Sequence, residues 1–407
     1  MPPTSQTMAN KNQPLTLEVH TDLNEVRESW LEFERGAKGG PHDTWEWADI
    51  WSRTVGRFAA PLIAIGRNAS GDIVFLLPLT IRKHLGCNVL EWLGADQGNY
   101  ASGLFHPAAW SDRSLPRGKE LLALVLDALP RVDAVHLDKQ PCEIEKGFNP
   151  LAGLPGVVAA SAGHAFQINT DRKTPARNQI SSRFRRSLRR GERRLAEKGR
   201  LEFKVMERAP DQLDAIDNMI REKREWFAEM GISDFFARRN MREFFQALVQ
   251  LPGNRAGLTA RIYELRVGGK AVAINLGVIH QNVFYGLIAS TARNPLRRFG
   301  PGSILFLRIV EHLASEGIEK VDCGAGEDKN KRRWCTEKRI RRHAIVPVTA
   351  KGRLYAAILK AALLAKLQIK QSPKLWSLTK RLRRWRPVPG ASRALAPAAS
   401  PAGRLQA

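Results

Sequence analysis

The sequence holds little that would form a cross-linked or metal-bound framework. Its 407 residues include four cysteines, Cys87, Cys142, Cys323 and Cys335, with no C-x-x-C pair and no histidine at finger spacing. No zinc site and no other metal is expected, and such sparse, unpaired thiols suit a reducing compartment. Uncharged apolar runs long enough to span a bilayer are absent, and the leader MPPTSQTMANKNQP lacks the apolar segment of a signal peptide. The expected location is cytoplasmic, with peripheral association at the inner face of the membrane left open. Acidic residues are also few: 40 against 65 Lys and Arg, a formal net charge of +25. That balance favours anionic partners such as nucleic acid, acidic lipid headgroups, an acidic carrier protein or phosphorylated small molecules, and does not choose among them.

A hydrophobic content of 43% is enough for packed cores, and the length suits two domains with tails. Read in order, Leu15 opens a strand, and a helix carrying Val26, Trp30, Leu31 and Phe33 follows. A second helix holds Trp45, Trp47 and Trp51, whose helical spacing points to core. PLIAIGRNASGDIVFLLPLTIRK then reads as a hairpin turning at Asn68 to Asp72, followed by the strand VLEWLGA, the helix ELLALVLDAL and a strand ending at Asp138. The same order returns about 190 residues later. RIYELRVGGKAVAINLGVIH is a hairpin, VFYGLIAS a strand, SILFLRIVEHLASEG a helix, and IEKVD a strand ending at Asp322. Two copies of one α/β unit are expected.

Between the copies, SSRFRRSLRRGERRLAEKG reads as a helix with Phe184, Leu188 and Leu195 on one side and arginines elsewhere. Those arginines form either a solvated face or a contact with an anionic partner. Two further helices, from about Glu207 to Leu251, hold Trp226, Phe227, Phe235, Phe236, Phe244 and Phe245, more aromatics than one helix face needs. They are expected to pack helix to helix, with the surplus lining an acceptor pocket. After Val348 a basic helix carries Leu354, Ile358, Ala361, Ala362 and Ala365 on one face, with Trp376 and Trp385 among cations. It suits a membrane-surface or carrier-docking element, or a helix packed on the fold.

The two copies differ at one turn. Arg297-Arg298-Phe299-Gly300-Pro301-Gly302-Ser303 has the form R-x-x-G-x-G at the start of a helix, and nothing between Arg82 and Glu120 matches it. Glycines let a backbone approach a ligand closely, and first-turn N–H groups have no intrahelical partner, so this turn suits a phosphate. The other reading is a tight turn with Ser303 capping the helix.

Hairpin, strand, glycine turn, helix and strand in this order resemble the core of the GNAT acyltransferases. More narrowly, TWEWADIW, FLLPLTIR and LGADQGNY in the first copy, with SSRFRRSLRRGERRLAEKG, PGSILFLRIVE and VDCGAGEDKNKRRW in the second, resemble the CelD/BcsL type linked to cellulose and exopolysaccharide synthesis. These in turn are similar to the tandem-GNAT FemAB aminoacyltransferases. The resemblance implies a degenerate GNAT-like domain (15–166) and a GNAT-like acyltransferase domain (167–350); composition adds a flexible leader (1–14), a basic amphipathic helical extension (351–386) and a disordered tail (387–407).

It also implies roles. Arg297, Arg298, Gly300, Gly302 and Ser303 would hold the pyrophosphate of acyl-CoA, taken as co-substrate with acetyl-CoA foremost. A backbone N–H near Leu287 to Ala289 would meet the carbonyl oxygen. Asp322 and Glu327 are the candidate bases, and Asp322 is alternatively a structural carboxylate accepting N–H bonds from the Gly324–Gly326 loop. Lys331 would bind an acceptor or donor phosphate, and Arg332, Arg333 and Trp334 would wall the substrate side. Cys323, next along the strand from Asp322, would face away from it. Asn330 stands where the family shows a tyrosine, so a general acid would have to come from another group or water. The implied reaction moves an acyl group from acyl-CoA or an acyl-carrier protein to an amine or hydroxyl of a sugar or amino sugar. The alternatives are a transferase using aminoacyl-tRNA, or a non-catalytic module docking a synthase complex to an anionic membrane surface.

Overall fold

The computed structural model describes residues 6–8, 15–108, 116–144, 147–168, 179–252, 257–328, 330–372 and 375. The expectations for Trp376, Trp385 and the tail lie outside these residues. The first half begins with β1 (Gln6–Met8), β2 (Leu15–His20), α1 (Arg27–Gly36) and α2 (Trp45–Arg53). The hairpin β3 (Pro61–Arg67) and β4 (Ile73–His84) turns where Asn68 Oδ1 accepts the N–H groups of Ser70 and Asp72. It is followed by β5 (Cys87–Trp92), β6 (Leu104–Phe105), α3 (Lys119–Asp127) and β7 (Ala134–Pro141). Short strands β8 (Glu143–Ile144), β9 (Gly147–Phe148) and β10 (Gly156–Val158) lead to β11 (Gly163–Gln167).

The second half starts with α4 (Ser182–Ala196), where the Ser181 hydroxyl accepts the Phe184 N–H. Phe184, Leu188, Gly191 and Leu195 form its buried face, so the expected amphipathic helix is present. Then come β12 (Leu201–Val205), α5 (Ala209–Met230), α6 (Met241–Val249), the hairpin β13 (Thr259–Val267) and β14 (Lys270–His280), and β15 (Val283–Thr291). The glycine turn leads into α7 (Pro301–Ser315), β16 (Lys320–Ala325), α8 (Lys331–Trp334), β17 (Glu337–Arg339), β18 (Arg341–Pro347) and α9 (Ala350–Gln371).

Among the described residues the strands form two large sheets. One runs β1-β2-β3-β4-β5-β7-β18-β10 with β6 paired to β4, and the other runs β12-β13-β14-β15-β16-β11-β17. Each contains a single parallel pair, β5 with β7 and β15 with β16, and in each the crossover helix (α3 or α7) lies between the paired strands. The duplicated unit read from the sequence is therefore visible as topology.

The division between units is not the linear one expected. The boundary at 166 falls inside β11, which pairs with β16 and β17 in the second sheet. Conversely β18, expected in the second domain, lies between β7 and β10 of the first. Each sheet takes a strand from the other half of the chain. The core is shared too: Trp47, Ile50 and Trp51 of α2 form one cluster with Ile216 and Met219 of α5, Phe244 and Phe245 of α6, and Ile274 and Leu276 of β14. Trp47 meets Phe244 edge-on at 5.0 Å.

Helix α9 packs against the first sheet, burying Gly352, Tyr355 and Ala356. A Cβ at Gly352 would lie 1.7 Å from the Asp133 carbonyl oxygen, so the helix sits directly on the strand. Of the two readings left open for its apolar face, Leu354 and Ile358 are not packed on the fold: they point outward, 67% and 49% exposed.

A core common to both halves predicts that they unfold together. Phe244→Ala should cost about 3–5 kcal/mol, and urea curves followed by far-UV circular dichroism and by tryptophan fluorescence should shift equally. A biphasic curve with only one phase displaced would show that the halves are independent.

Candidate functional site

Strands β15 and β16 start side by side and then part. They pair only from Val283↔Lys320 to Tyr285↔Asp322, although β15 continues to Thr291 and β16 to Ala325. On its other edge β15 bulges: the register passes from Gly277↔Gly286 to Leu276↔Ile288, leaving Leu287 unopposed. The separation opens a cleft of about 330 Å³, with Leu287 to Ala289 on one wall and Asp322, Cys323 and Ala325 on the other. Gly302, in the first turn of α7, is part of its lining.

One side chain spans the gap. Asn99, in the LGADQGNY segment of the first unit, donates from Nδ2 to the Gly286 carbonyl (3.3 Å) and accepts at Oδ1 from the Ala325 N–H (3.2 Å). Its carboxamide thus replaces the peptide contact that the diverging strands no longer make. Gly324 accommodates it: its φ is +71°, and a Cβ there would stand 2.6 Å from Asn99 Nδ2.

The loop is held rigid. Lys139, on β7, donates to the carbonyls of Ala95 (2.5 Å), Asp96 (3.3 Å) and Gly98 (3.1 Å), and Arg341 of β18 donates to the Asn99 carbonyl (2.7 Å). Tyr100, beside Asn99, donates its hydroxyl to Asp322 Oδ1 at 3.2 Å. The second copy alone therefore lacks Asn99 and Tyr100, which the first copy supplies.

Asp322 is buried, its Oδ1 accepting the Gly324 N–H at 2.7 Å and its Oδ2 pairing with Arg339 at 3.1 Å. Burial pushes its carboxyl upward, against the pull of Arg339, the Gly324 N–H and Tyr100. Burial, and next the Asp322 charge, push the Tyr100 phenol upward. Asp322 thus has the bonds of the structural carboxylate while also lining the cleft. Cys323, expected to face away, reaches the cleft as well, because the strand edge is open there.

Lys331 lines the cleft, but its ammonium is bound to the carbonyls of Gly324 (3.1 Å) and Ala325 (2.6 Å). Glu327 is exposed and pairs with His164 at 2.9 Å, outside the cleft lining. Ser303 does not cap its helix. The cap position is Gly300, at φ +71°, and the Ser303 hydroxyl donates to Asn330 Oδ1 at 2.8 Å. Arg297 and Arg298 are exposed on the 3-10 turn before α7. Helix α4 packs on that turn through Gly191, where a Cβ would lie 2.5 Å from the Phe299 carbonyl oxygen.

The placement corrects the expected substrate wall. Trp334 is core, its ring against Phe166 (5.6 Å) and Phe306 (5.3 Å). Arg333 stacks on Phe184 of α4 at 4.3 Å, and Arg332 is exposed outside the cleft lining. The cause is local: α8 makes a single turn, so burying Trp334 directs the preceding arginines to the outer side.

Three features escaped sequence reading besides Asn99 and Tyr100. Lys223 of α5 lines the cleft and two adjoining cavities, and burial lowers its pKa. Asn275 of β14 lines the cleft with Oδ1 buried and unpartnered among the described residues. A second chamber, about 280 Å³, opens beside the cleft and shares Asn99, Lys223 and Leu287 to Ala289 with it. Only LGADQGNY carried a signal, as a segment without assigned roles.

Gly300 leaves open space where a Cβ would be, two exposed arginines flank the α7 N-terminus, and Asn275 Oδ1 lacks a donor that an amide N–H would provide.

Comparison with known proteins agrees with this geometry. Residues 182–332 match the family model of an acetyltransferase (GNAT) domain. No curated protein sequence matches the chain. Among solved structures, FemX superimposes with a TM-score of 0.53 at 12% identity, over 83% of this chain and 98% of FemX. A tandem GNAT protein from the clavulanic acid biosynthesis pathway gives 0.46 at 12% identity, over 82% and 99%. L-PGS from Bacillus licheniformis gives 0.48 at 12% identity, over 84% and 97%. Residues 182–332 are thus similar to an acetyltransferase (GNAT) domain, and the chain shares the α/β fold of FemX over most of its length.

The clasp makes a specific prediction. Gly324→Ala should destabilise by about 1–2 kcal/mol through its left-handed backbone, plus the displacement of Asn99. In an Asn99→Gly background the steric part should vanish, so thermal melts of the two single variants and the double variant should be non-additive. Strict additivity would show that Asn99 and Gly324 are not coupled.

Proposed function

We propose that the chain transfers an acyl group directly from acyl-CoA, or from the matching arm of an acyl-carrier protein, to an amine or hydroxyl of a sugar-type acceptor in exopolysaccharide or cell-envelope synthesis. The observation that carries the transfer is the cleft between β15 and β16 with the glycine turn at its end. The sugar acceptor rests on the sequence resemblance alone. In this reading Arg297, Arg298 and the backbone from Gly300 to Ser303 hold the pyrophosphate, and Asn275 accepts an amide N–H of the extended arm. The bulged backbone at Leu287 to Ala289 donates to the carbonyl oxygen as negative charge develops there.

Lys223 is the group best sited to take the proton. It borders both the cleft and the chamber, and its lowered pKa raises the neutral fraction. The C–N or C–O bond forms as the C–S bond breaks, and the thiol leaves with a proton. Asp322, fixed by Gly324, Arg339 and Tyr100, acts as a positioning residue that holds the β16 wall, and Lys331 holds the same wall through its carbonyls. Glu327 is too far out in its His164 pair to act on the cleft without movement.

Acetyl-CoA should bind in a calorimetric titration, and Arg297→Ala combined with Arg298→Ala should weaken it. Thiol release in the presence of amino sugars should rise with pH through a value below the ordinary lysine range. Lys223→Met should remove that limb and slow release by about 10²–10⁴-fold. No binding of acetyl-CoA at high micromolar concentration would overturn the reading.

A second reading, transfer from aminoacyl-tRNA, is favoured by the net charge and by Arg183, Arg186, Arg189, Arg190, Arg193 and Arg194, all exposed on α4. Membrane association is favoured by Leu354 and Ile358, exposed on α9 among Lys351, Arg353 and Lys360. Among the described residues no helix is long and apolar enough to cross a membrane. One series separates the two. Retardation of tRNA at moderate salt, lost when the α4 arginines become alanine, supports the first. Sedimentation with anionic vesicles, lost in Leu354→Asp with Ile358→Asp, supports the second.

A further inference from the structure

The two halves carry the same short turn at the same point of their topology, built from opposite chemistry. In the second half His280 pairs with Val283 where β14 meets β15, and the loop between them is Gln281 and Asn282, with φ +47° and +59°. In the first half His84 pairs with Cys87 where β4 meets β5, and the loop is Leu85 and Gly86, with φ +49° and +75°. Positive φ at both loop positions suits the twist of a hairpin, and Asn, Asp or Gly adopt it at least cost. Leu85 is a bulky side chain in that left-handed region, and it is 77% exposed. Its backbone is strained and its side chain gains almost no burial in return.

The second turn shows what such a tip does when it is docked. Gln281 Nε2 donates to the carbonyls of Glu34 and Ala37, both at 3.2 Å, so this turn caps the open end of α1 in the other unit. The Leu85 turn is joined to α9 instead. Lys351, in the first turn of that helix, donates to the Gly86 carbonyl, and Cys87 Sγ donates to the Lys351 carbonyl at 3.8 Å. On the inner side Tyr355 packs with Cys87, Val89 and Ala134. Turn and helix form one surface, and Leu85 stands at its edge.

The helix extends that surface. Leu354, Ile358, Ala361 and Ala365 are exposed and follow one another along one side of α9. Arg353 and Lys360 flank the stripe on one side, Lys351 and Lys366 on the other, and Lys83 precedes the turn. No acid occurs in α9. Two acids beside the turn are engaged: Glu91 with Arg82 (2.6 Å) and His84 (3.1 Å), and Asp133 with the Asn88 N–H and the Thr349 hydroxyl (both 2.9 Å). An apolar ridge bordered by cations matches the boundary of an anionic bilayer, where acyl chains lie beneath phosphate groups. A second copy of the chain would bring like charges together there.

We infer that the Leu85–Gly86 turn is a membrane-inserting tip, entering the acyl boundary of an anionic bilayer beside the outward face of α9. This rests on the membrane-association reading of α9 and adds a second anchor to it. A helix alone leaves the molecule free to roll about the helix axis, whereas a second point off that axis fixes the face turned to the lipid.

The test uses the full chain, sedimented with vesicles of phosphatidylcholine and phosphatidylglycerol in equal parts and with vesicles of phosphatidylcholine alone. Wild type should sediment with the mixed vesicles and lose that binding as salt is raised. Leu85→Asn puts the favoured Asn-Gly pair in the turn. It should melt a few degrees higher than wild type and bind the mixed vesicles about tenfold more weakly, while Leu85→Phe should keep the binding. A lower melting temperature in Leu85→Asn would show that Leu85 serves the fold and would overturn the inference. Vesicle affinity unchanged in Leu85→Asn, yet lost in Leu354→Asp with Ile358→Asp, defeats the tip and leaves the α9 reading standing. Wild type that sediments with neither vesicle defeats both. Self-association of wild type that Leu85→Asn abolishes would assign the tip to a second copy and overturn the inference as well.

Discussion

The site depends on a carboxamide that stands in for a peptide bond. Parallel strands that separate lose their mutual hydrogen bonds at the point of divergence, and backbone groups left unpaired in a buried place are expensive. Asn99 resolves this for β15 and β16 by giving Gly286 a donor and Ala325 an acceptor from one planar group. Without such a bridge the strands would close on each other or admit water along their edges. Since Asn99 belongs to the other unit, the width of the cleft is set across the whole molecule. Lys139 and Arg341, which fix the loop bearing Asn99, are thus as much part of the site as the residues that line it.

The two units illustrate how one scaffold diverges. Each has a parallel strand pair with a crossover helix, so each could in principle open a cleft. In the first, the chain after β5 folds back as a 3-10 turn, and the buried ammonium of Lys139 caps its carbonyls. The segment that closes this unit over is the one that props the other open.

Much of this architecture could be read from the residues. Hairpin turns at Asn68 to Asp72 and at Gly268-Gly269, the amphipathic helix at Phe184, Leu188 and Leu195, and the repeated element order all follow from local periodicity and turn chemistry, which the sequence displays directly. The glycine turn was legible for the same reason, since a left-handed Gly300 is a local property. What was not legible depended on contacts between distant segments. Nothing near Asn99 or Tyr100 reveals that they meet β16 more than 200 residues later. Trp334 was read as part of a binding wall because the family resemblance ends its basic loop there, yet its ring is drawn into the core by Phe166 and Phe306. Helix α9 was read with one apolar face, Leu354 and Ile358, and the side that packs instead is set by the close approach of Gly352 to the Asp133 carbonyl.

The reciprocal exchange of β11 and β18 has a consequence for synthesis on the ribosome. A chain emerging from its amino terminus reaches β10 long before β18, and among the described residues β10 has no other partner in its sheet. The amino-terminal unit therefore stays incomplete, with the edge of β7 uncovered, until residues 341–347 have left the exit tunnel. Domains commonly fold in the order in which they are made. Here the half translated first must be finished last, and its exposed strand edge is the nascent surface for which a chaperone would compete.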